Sequence, residues 1–325
     1  MLASAVKSLI QKIPGLRNRL SVNIHFNDGP FLEITSSAEP HRVVMRCAER
    51  VIHTAEIAGQ HWTSAHQRFY TPWTLEVFNQ RGQLVFRHDF DLRDRVVRIN
   101  IDSRSLGDTL AWLPQVQAFA RKHPQARVHL SHFWPDLFDT ARYPELIYIE
   151  PDSRLEDCYA TYHLGYYFED SSRHHPEDPR LQPLGKIAAD ILGVTYEETR
   201  PYLARPEETD RGNRPPLVCI ATASTAQCKH WLFPDGWQCV VDHLKGRGFE
   251  VAIVQKEPSD LHGVIDETGD RPIGERISRI AGCQLFIGLG SGLSWIAWAL
   301  DKPVVLISGF SLPHTEFNDL CERVI

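Results

Sequence analysis

Residues 284–309 constrain the fold more than any other part of this chain. Leu285 to Ile287 is a short apolar run, the pattern of a strand buried on both faces. Gly288, Gly290 and Gly292 then crowd a turn. Leu293 to Leu300 reads as a helix that is apolar all round and so buried. Lys302-Pro303 stops it, and Val304 to Ile307 is the next buried strand. The stretch is a βαβ unit with a glycine-rich first turn. Bare backbone N–H groups at a helix N-terminus, with no Cβ atoms in the way, suit a diphosphate. Ser291 and Ser294 add hydroxyl donors. The glycine spacing is not GxGxxG and carries no P-loop lysine, so by itself it describes equally well a tight turn that binds nothing.

The chain has 325 residues, enough for roughly two or three domains. A hydrophobic fraction of 42% and a charged fraction of 23% are those of an ordinary globular protein. The net charge, 35 − 41 = −6, argues against a general nucleic-acid footprint. Seven cysteines without a CxxC pair form neither a disulfide framework nor a metal knuckle, and reduced thiols in a cytoplasm account for them. No apolar run is long enough for a membrane span.

Residues 1–20 mix short apolar runs with four basic residues and read as a surface amphipathic helix, not a signal peptide. Residues 21–95 are strand country: Phe31–Thr35, Arg42–Arg46, Trp73–Phe78 and Gln83–Arg87 are short, β-branched or aromatic, and bounded by turn residues. They predict a small antiparallel barrel or sandwich, used for docking or oligomerisation. His61, Trp62, His66, Phe69, Tyr70 and Trp73 cluster in it, and core packing explains such aromatics best. From Val96 the pattern becomes α/β. A strand over 96–101, a loop over 102–107 and a helix from Asp108 to about His123 open a first Rossmann-like domain over residues 96–205. Pro201 to Pro216 reads as a linker, and residues 206–325 as a second such domain. The expected fold class is α/β, two Rossmann-like domains facing a cleft behind an N-terminal β unit.

Ligands in such sheets bind outside the carboxyl ends of the strands. Three loops fall there. In the first, Asp108 suits either an N-cap or a general base that takes a proton from a hydroxyl nucleophile. In the second, Thr222 to Trp231 carries the hydroxyls of Thr222, Ser224 and Thr225 together with Lys229, a point charge able to neutralise a leaving diphosphate. The third is the glycine-rich turn. There Gly292 is expected to keep the approach to the diphosphate open, at a φ that a branched residue avoids.

Taken together, Ser105–Pro114, Cys228–Trp231 with Trp237, and Gly290–Leu300 resemble the ADP-heptose-dependent heptosyltransferases, enzymes of GT-B architecture. Within them the chain is most similar to the bacterial autotransporter strand-loop-strand O-heptosyltransferases. Tyr159–Tyr162 with Gly165 and Tyr167-Phe168, Val218–Thr222 and Val304–Pro313 carry the same likeness, which spans roughly residues 22 to 325. The resemblance implies an ADP-glycero-manno-heptose donor, serine hydroxyls of an autotransporter adhesin as acceptor, and a homo-oligomer. It implies Asp108 as the catalytic carboxylate and Lys229 on the donor diphosphate. Ser291, Gly292 and Leu293 would line the phosphates, with Gly290, Ser294, Thr222, Ser224 and Thr225 as further donor contacts.

Two departures bear on the acceptor. Lipopolysaccharide heptosyltransferases usually have Asp at the position of Gly290 and His at that of Trp295, and both differences favour the protein-modifying branch. The resemblance also implies an iron-binding cysteine cluster beyond the position of Ile325. On that reading this chain is truncated, contains no metal ligands of its own, and is less active than a longer form. The alternatives are a lipopolysaccharide-type or other nucleotide-sugar glycosyltransferase, and an inactive nucleotide-sugar-binding copy.

Overall fold

The computed structural model describes residues 20–325, apart from 36, 38, 60, 205–211 and 213. The helix expected within residues 1–20, but for residue 20, and half of the linker expected over 201–216 lie outside the described residues.

Seven strands come from the β-rich beginning: β1 (Val22–Asn27), β2 (Phe31–Ile34), β3 (His41–Cys47), β4 (Arg50–Ile57), β5 (Trp62–Ser64), β6 (Trp73–Phe78) and β7 (Leu84–Asp89). The sequence suggests one separate barrel or sandwich here, and the structure divides these strands instead. β3, β4, β6 and β7 form a four-stranded antiparallel sheet, ordered β4-β3-β6-β7. β6 buries Trp73, Leu75 and Val77 on one face, the period of two that a half-covered sheet requires. β1, β2 and β5 instead extend the sheet of the first α/β domain.

That domain continues with β8 (Val96–Ile101), helix α1 (Leu106–Lys122), β9 (Arg127–Ser131), β10 (Leu146–Ile149), β11 (Cys158–Leu164) and helix α2 (Leu184–Leu192). Its sheet runs β10-β9-β8-β11-β1-β2-β5, with β10 through β1 parallel and β2 and β5 antiparallel. Short-range pattern identified the strands, but the parallel pairing of β1 with β11, about 130 residues away, is a tertiary choice. Helix α1 continues through Pro114, and α2 stops at Gly193, whose left-handed φ of 63° closes the last turn.

The second domain consists of β12 (Leu217–Ala221), helix α3 (Gly236–Gly246), β13 (Glu250–Ile253), β14 (Ile265–Asp266), helix α4 (Ile273–Ala281), β15 (Leu285–Gly288), helix α5 (Gly292–Ala299), β16 (Val304–Ile307) and β17 (Cys321–Val324). Its six strands are all parallel, in the order β14-β13-β12-β15-β16-β17. β12 is buried at every position, as a central strand covered by helices on both faces must be.

Helix α1 of the first domain packs on α5 of the second, so one continuous hydrophobic core crosses the domain junction. The segment after α2 fastens the same junction. Arg200 donates to the Trp298 carbonyl and to Asp319, and Glu198 accepts from the backbone N–H groups of Asn318 and Asp319.

Candidate active site

Both sheets reverse the order of their parallel strands once. In the first, β8 leads outward to β9 and β10 while β11 lies on its other side; in the second, β12 and β15 flank the same kind of reversal. Loops leaving two neighbouring strands in opposite directions open a crevice at their carboxyl ends. The two crevices face each other across one cleft of about 580 Å³. The first-domain wall carries Ser105, Gly107, Asp108 and Tyr166, and the second-domain wall Lys229, Gly290, Ser291, Gly292, Trp295 and Glu316. Five of the candidate residues therefore converge: Asp108, Lys229, Gly290, Ser291 and Gly292.

Asp108 does not cap its helix. Ser105 is the N-cap of α1, its Oγ accepting from the Asp108 N–H at 3.4 Å, which places Asp108 in the first turn. Freed from capping, the Asp108 carboxylate accepts a 2.5 Å hydrogen bond from Ser103 Oγ. Burial raises its pKa above the usual carboxylate range. The bonds from Ser103 and Ser105 and the Lys229 charge oppose that rise, and the charge of Glu316 adds to it. A half-buried carboxylate held by a serine hydroxyl and poised upward in pKa is suited to accept a proton.

The opposite wall is an anion site. Lys229 Nζ donates to the Gly290 carbonyl at 2.8 Å, which parks the ammonium at the N-terminus of α5. The first N–H groups of that helix have no partner within it, and its dipole favours negative charge. Ser291 is the N-cap residue but does not use its side chain as a cap. Its Oγ is buried without a hydrogen-bond partner among the described residues. An orphaned hydroxyl beside a lysine and a helix N-terminus is what a diphosphate would satisfy.

The other candidates fall elsewhere. Ser294 is fully buried and donates to the Leu289 carbonyl at 2.5 Å, so its hydroxyl is spent inside the fold. Leu293 packs against the core. Thr222 shares Gln255 Oε1 through its backbone and hydroxyl, and Ser224 is bound through its backbone to His230, while Thr225 is exposed; none of the three lines the cleft. Trp231 and Trp237 meet edge to face; Trp237 packs against the core, and Trp231 lines a separate hollow with Cys239 and His243 of α3, in keeping with packing.

Gly292 needs a different explanation from the expected one. Its φ is not in the left-handed region. A Cβ there would lie 2.6 Å from Leu106 Cβ, so its bareness lets the first turns of α1 and α5 meet. Glu316 was invisible to pattern reading, since it follows β16 in an irregular loop and belongs to no motif. Only the fold carries it to the cleft. Trp295 was visible inside the apolar helix pattern, but its indole turns out to donate to Glu316 at 3.1 Å.

The described residues do not fit an iron site. The seven cysteines are all free, and among the described residues no three His, Cys, Asp or Glu side chains gather around a common point.

The profile of glycosyltransferase family 9 (heptosyltransferase) matches residues 166–315. The autotransporter heptosyltransferase BAHTCr of Citrobacter rodentium is 33% identical over 321 residues, 94% of this chain and 77% of that protein. The autotransporter heptosyltransferase TibC of Escherichia coli O78:H11 is 33% identical over 307 residues, 90% of this chain and 74% of TibC. The crystal structure of TibC, an iron-containing dodecameric glycosyltransferase, superposes with a TM-score of 0.85 at 31% identity, covering 93% of this chain and 81% of that one. TibC has also been crystallised with ADP-D-beta-D-heptose, and that structure superposes with a TM-score of 0.84. A relative from Burkholderia thailandensis, BimC, is 32% identical over 91% of this chain and 72% of its own length, and is described as an inactive autotransporter heptosyltransferase. The two facing α/β domains are thus a GT-B fold, and the chain belongs to the autotransporter heptosyltransferase family.

Proposed function

We propose that this protein transfers heptose from ADP-glycero-manno-heptose to serine hydroxyls of an autotransporter adhesin. The observation that carries the reading is the pairing across one cleft of a carboxylate with raised pKa, Asp108, and an anion site built from Lys229, Ser291 and the α5 N-terminus. In this mechanism the serine oxygen attacks the anomeric carbon while Asp108 takes its proton. The bond from that carbon to the diphosphate oxygen breaks, and ADP leaves with its new charge facing Lys229 and the helix dipole. TibC bound to ADP-D-beta-D-heptose supports the choice of donor.

On this reading residues 96–205 present the acceptor side and residues 206–325 the donor side. Residues 21–95 then serve docking or self-association. A homo-oligomer follows from the dodecamer of TibC. The free thiols suit a reducing cytoplasm. No helix among the described residues is long and apolar enough to cross a membrane.

A nucleotide-sugar-binding copy without turnover is the second reading, favoured by the description of BimC as inactive. One experiment separates the two. Isothermal titration with ADP and with UDP defines the donor nucleotide, and intact mass of an adhesin fragment incubated with protein and ADP-heptose reports transfer. ADP binding with a heptosyl mass increment supports the proposal; ADP binding without it supports the inactive copy; preference for UDP overturns the donor assignment.

A further inference from the structure

We propose that Glu316 is the group that recognises the hydroxyls of the transferred sugar. The inference rests on the donor reading above and extends it from the diphosphate to the glycosyl moiety.

Glu316 is only 6% exposed, yet it lines the cleft. A buried carboxylate is costly unless it is hydrogen-bonded. Its Oε2 accepts from Trp295 Nε1 at 3.1 Å, whereas Oε1 accepts from no described residue. That indole is held firmly. Its ring meets Trp298 and Phe317 edge to face at 5.4 and 5.0 Å, and the space beside Gly107 on the Asp108 turn is filled by its Cδ1, 3.1 Å from where a Cβ would stand. Trp295 therefore fixes Glu316 with respect to the helix that carries Asp108.

The second wall leaves room for the free oxygen. A Cβ on Gly290 would lie 2.3 Å from Glu316 Oε1, so any side chain at 290 would displace the carboxylate. The glycine of this turn thus has a role apart from the diphosphate.

Charge decides what the free oxygen can bind. A carboxylate repels phosphate, so Glu316 does not belong to the anion site that Lys229 and Ser291 form. Asp108, on the other wall, already has the acceptor proton as its task. What remains between them is a neutral polyol, and a carboxylate oxygen accepting from sugar hydroxyls makes a charge-assisted bond, about twice as strong as a neutral one. In the ligand-bound cleft Glu316 would be the acceptor that tells a nucleoside diphosphate sugar from the bare nucleoside diphosphate.

The test is calorimetric titration of wild-type protein, Glu316→Gln and Gly290→Ala with ADP and with ADP-heptose, with melting temperatures measured alongside. Glutamine keeps the bond to Trp295 but no longer offers a carboxylate. We expect ADP affinity within about twofold of wild type in Glu316→Gln, and ADP-heptose affinity lower by about tenfold or more in both variants, the loss of a charged hydrogen bond. Equal losses for both ligands in Glu316→Gln would assign Glu316 a structural role and overturn the inference. So would unchanged affinity for ADP-heptose in both variants. Wild-type protein that binds neither ligand would overturn the donor reading itself, and this inference with it.

Discussion

Gly292 gives the sharpest test of how the two domains meet. A Cβ added there would stand 2.6 Å from Leu106 Cβ, 2.9 Å from its Cδ2 and 3.0 Å from its Cγ. Carbon atoms settle about 3.5–4.0 Å apart, so Gly292→Ala forces an overlap of about 1 Å at the junction of α1 and α5. Overpacking of this kind costs about 1–3 kcal/mol. The least costly relief is for the two helix ends to part by a similar distance. Asp108 sits in the first turn of α1, two residues from Leu106, and would move away from Lys229 and Ser291. A displacement of about 1 Å can cost on the order of a hundredfold in rate. We therefore expect Gly292→Ala to lower kcat/KM about a hundredfold, with ADP affinity nearly retained because Lys229, Ser291 and the α5 N-terminus stay together. Steady-state transfer kinetics, ADP titration and thermal melting read the three effects. Leu106→Gly removes all three colliding atoms and should restore much of the rate in the double variant, at a helix-propensity cost of about 1 kcal/mol. If Gly292→Ala abolishes ADP binding and Leu106→Gly restores nothing, the glycine serves the diphosphate approach and the domain-contact argument is wrong.

Three further predictions concern the charges of the cleft. Asp108→Asn should abolish transfer while leaving ADP affinity unchanged, because the helix cap belongs to Ser105 and stays intact; retained turnover in the mass assay would remove Asp108 from the chemistry. Lys229→Met should weaken ADP much more than adenosine, since the contact is to phosphate; equal losses would indicate damage to the Gly290 turn that Lys229 braces. The raised pKa of Asp108 also has a sign in stability. Its neutral form is favoured in the folded state, so its contribution is fully present below the usual carboxylate range and is lost as pH rises through the folded pKa. Asp108→Asn should therefore melt higher than wild type at neutral pH and alike in acid, and the acid limb of the wild-type kcat/KM profile should lie above the ordinary carboxylate range. A limb within that range would mean that Asp108 is solvated in solution.

Much of this architecture was legible because parallel strands buried on both faces are continuous apolar runs. Leu285–Gly288, Val304–Ile307 and Leu217–Ala221 announce themselves, and Ile273–Ala281 shows its helical period without help from neighbours. The candidate loops were legible for the same reason, since a loop after such a strand lies at the sheet's carboxyl end, where Asp108, Lys229 and Ser291 indeed come together. The individual jobs were less so. Pattern alone could not separate Asp108 as cap from Asp108 as base, because Ser105 three residues earlier competes for the same role, and backbone geometry chose Ser105. Ser294 was lost from the site because helical rotation turns it inward to the Leu289 carbonyl.

The sequence by itself determined the α/β class, most strand and helix positions, and the three loops that bear the candidate residues, since these depend on local periodicity and turn residues. Tertiary structure alone decided the rest. It split the β-rich beginning between two sheets, because pairing β1 with β11 depends on contacts far apart in the chain. It set Leu106 against Gly292, giving the glycine a domain contact to preserve. And it brought Glu316 to the bare side of Gly290, a meeting that no spacing encodes because the two residues lie on either side of β16 and approach only when the domain is packed.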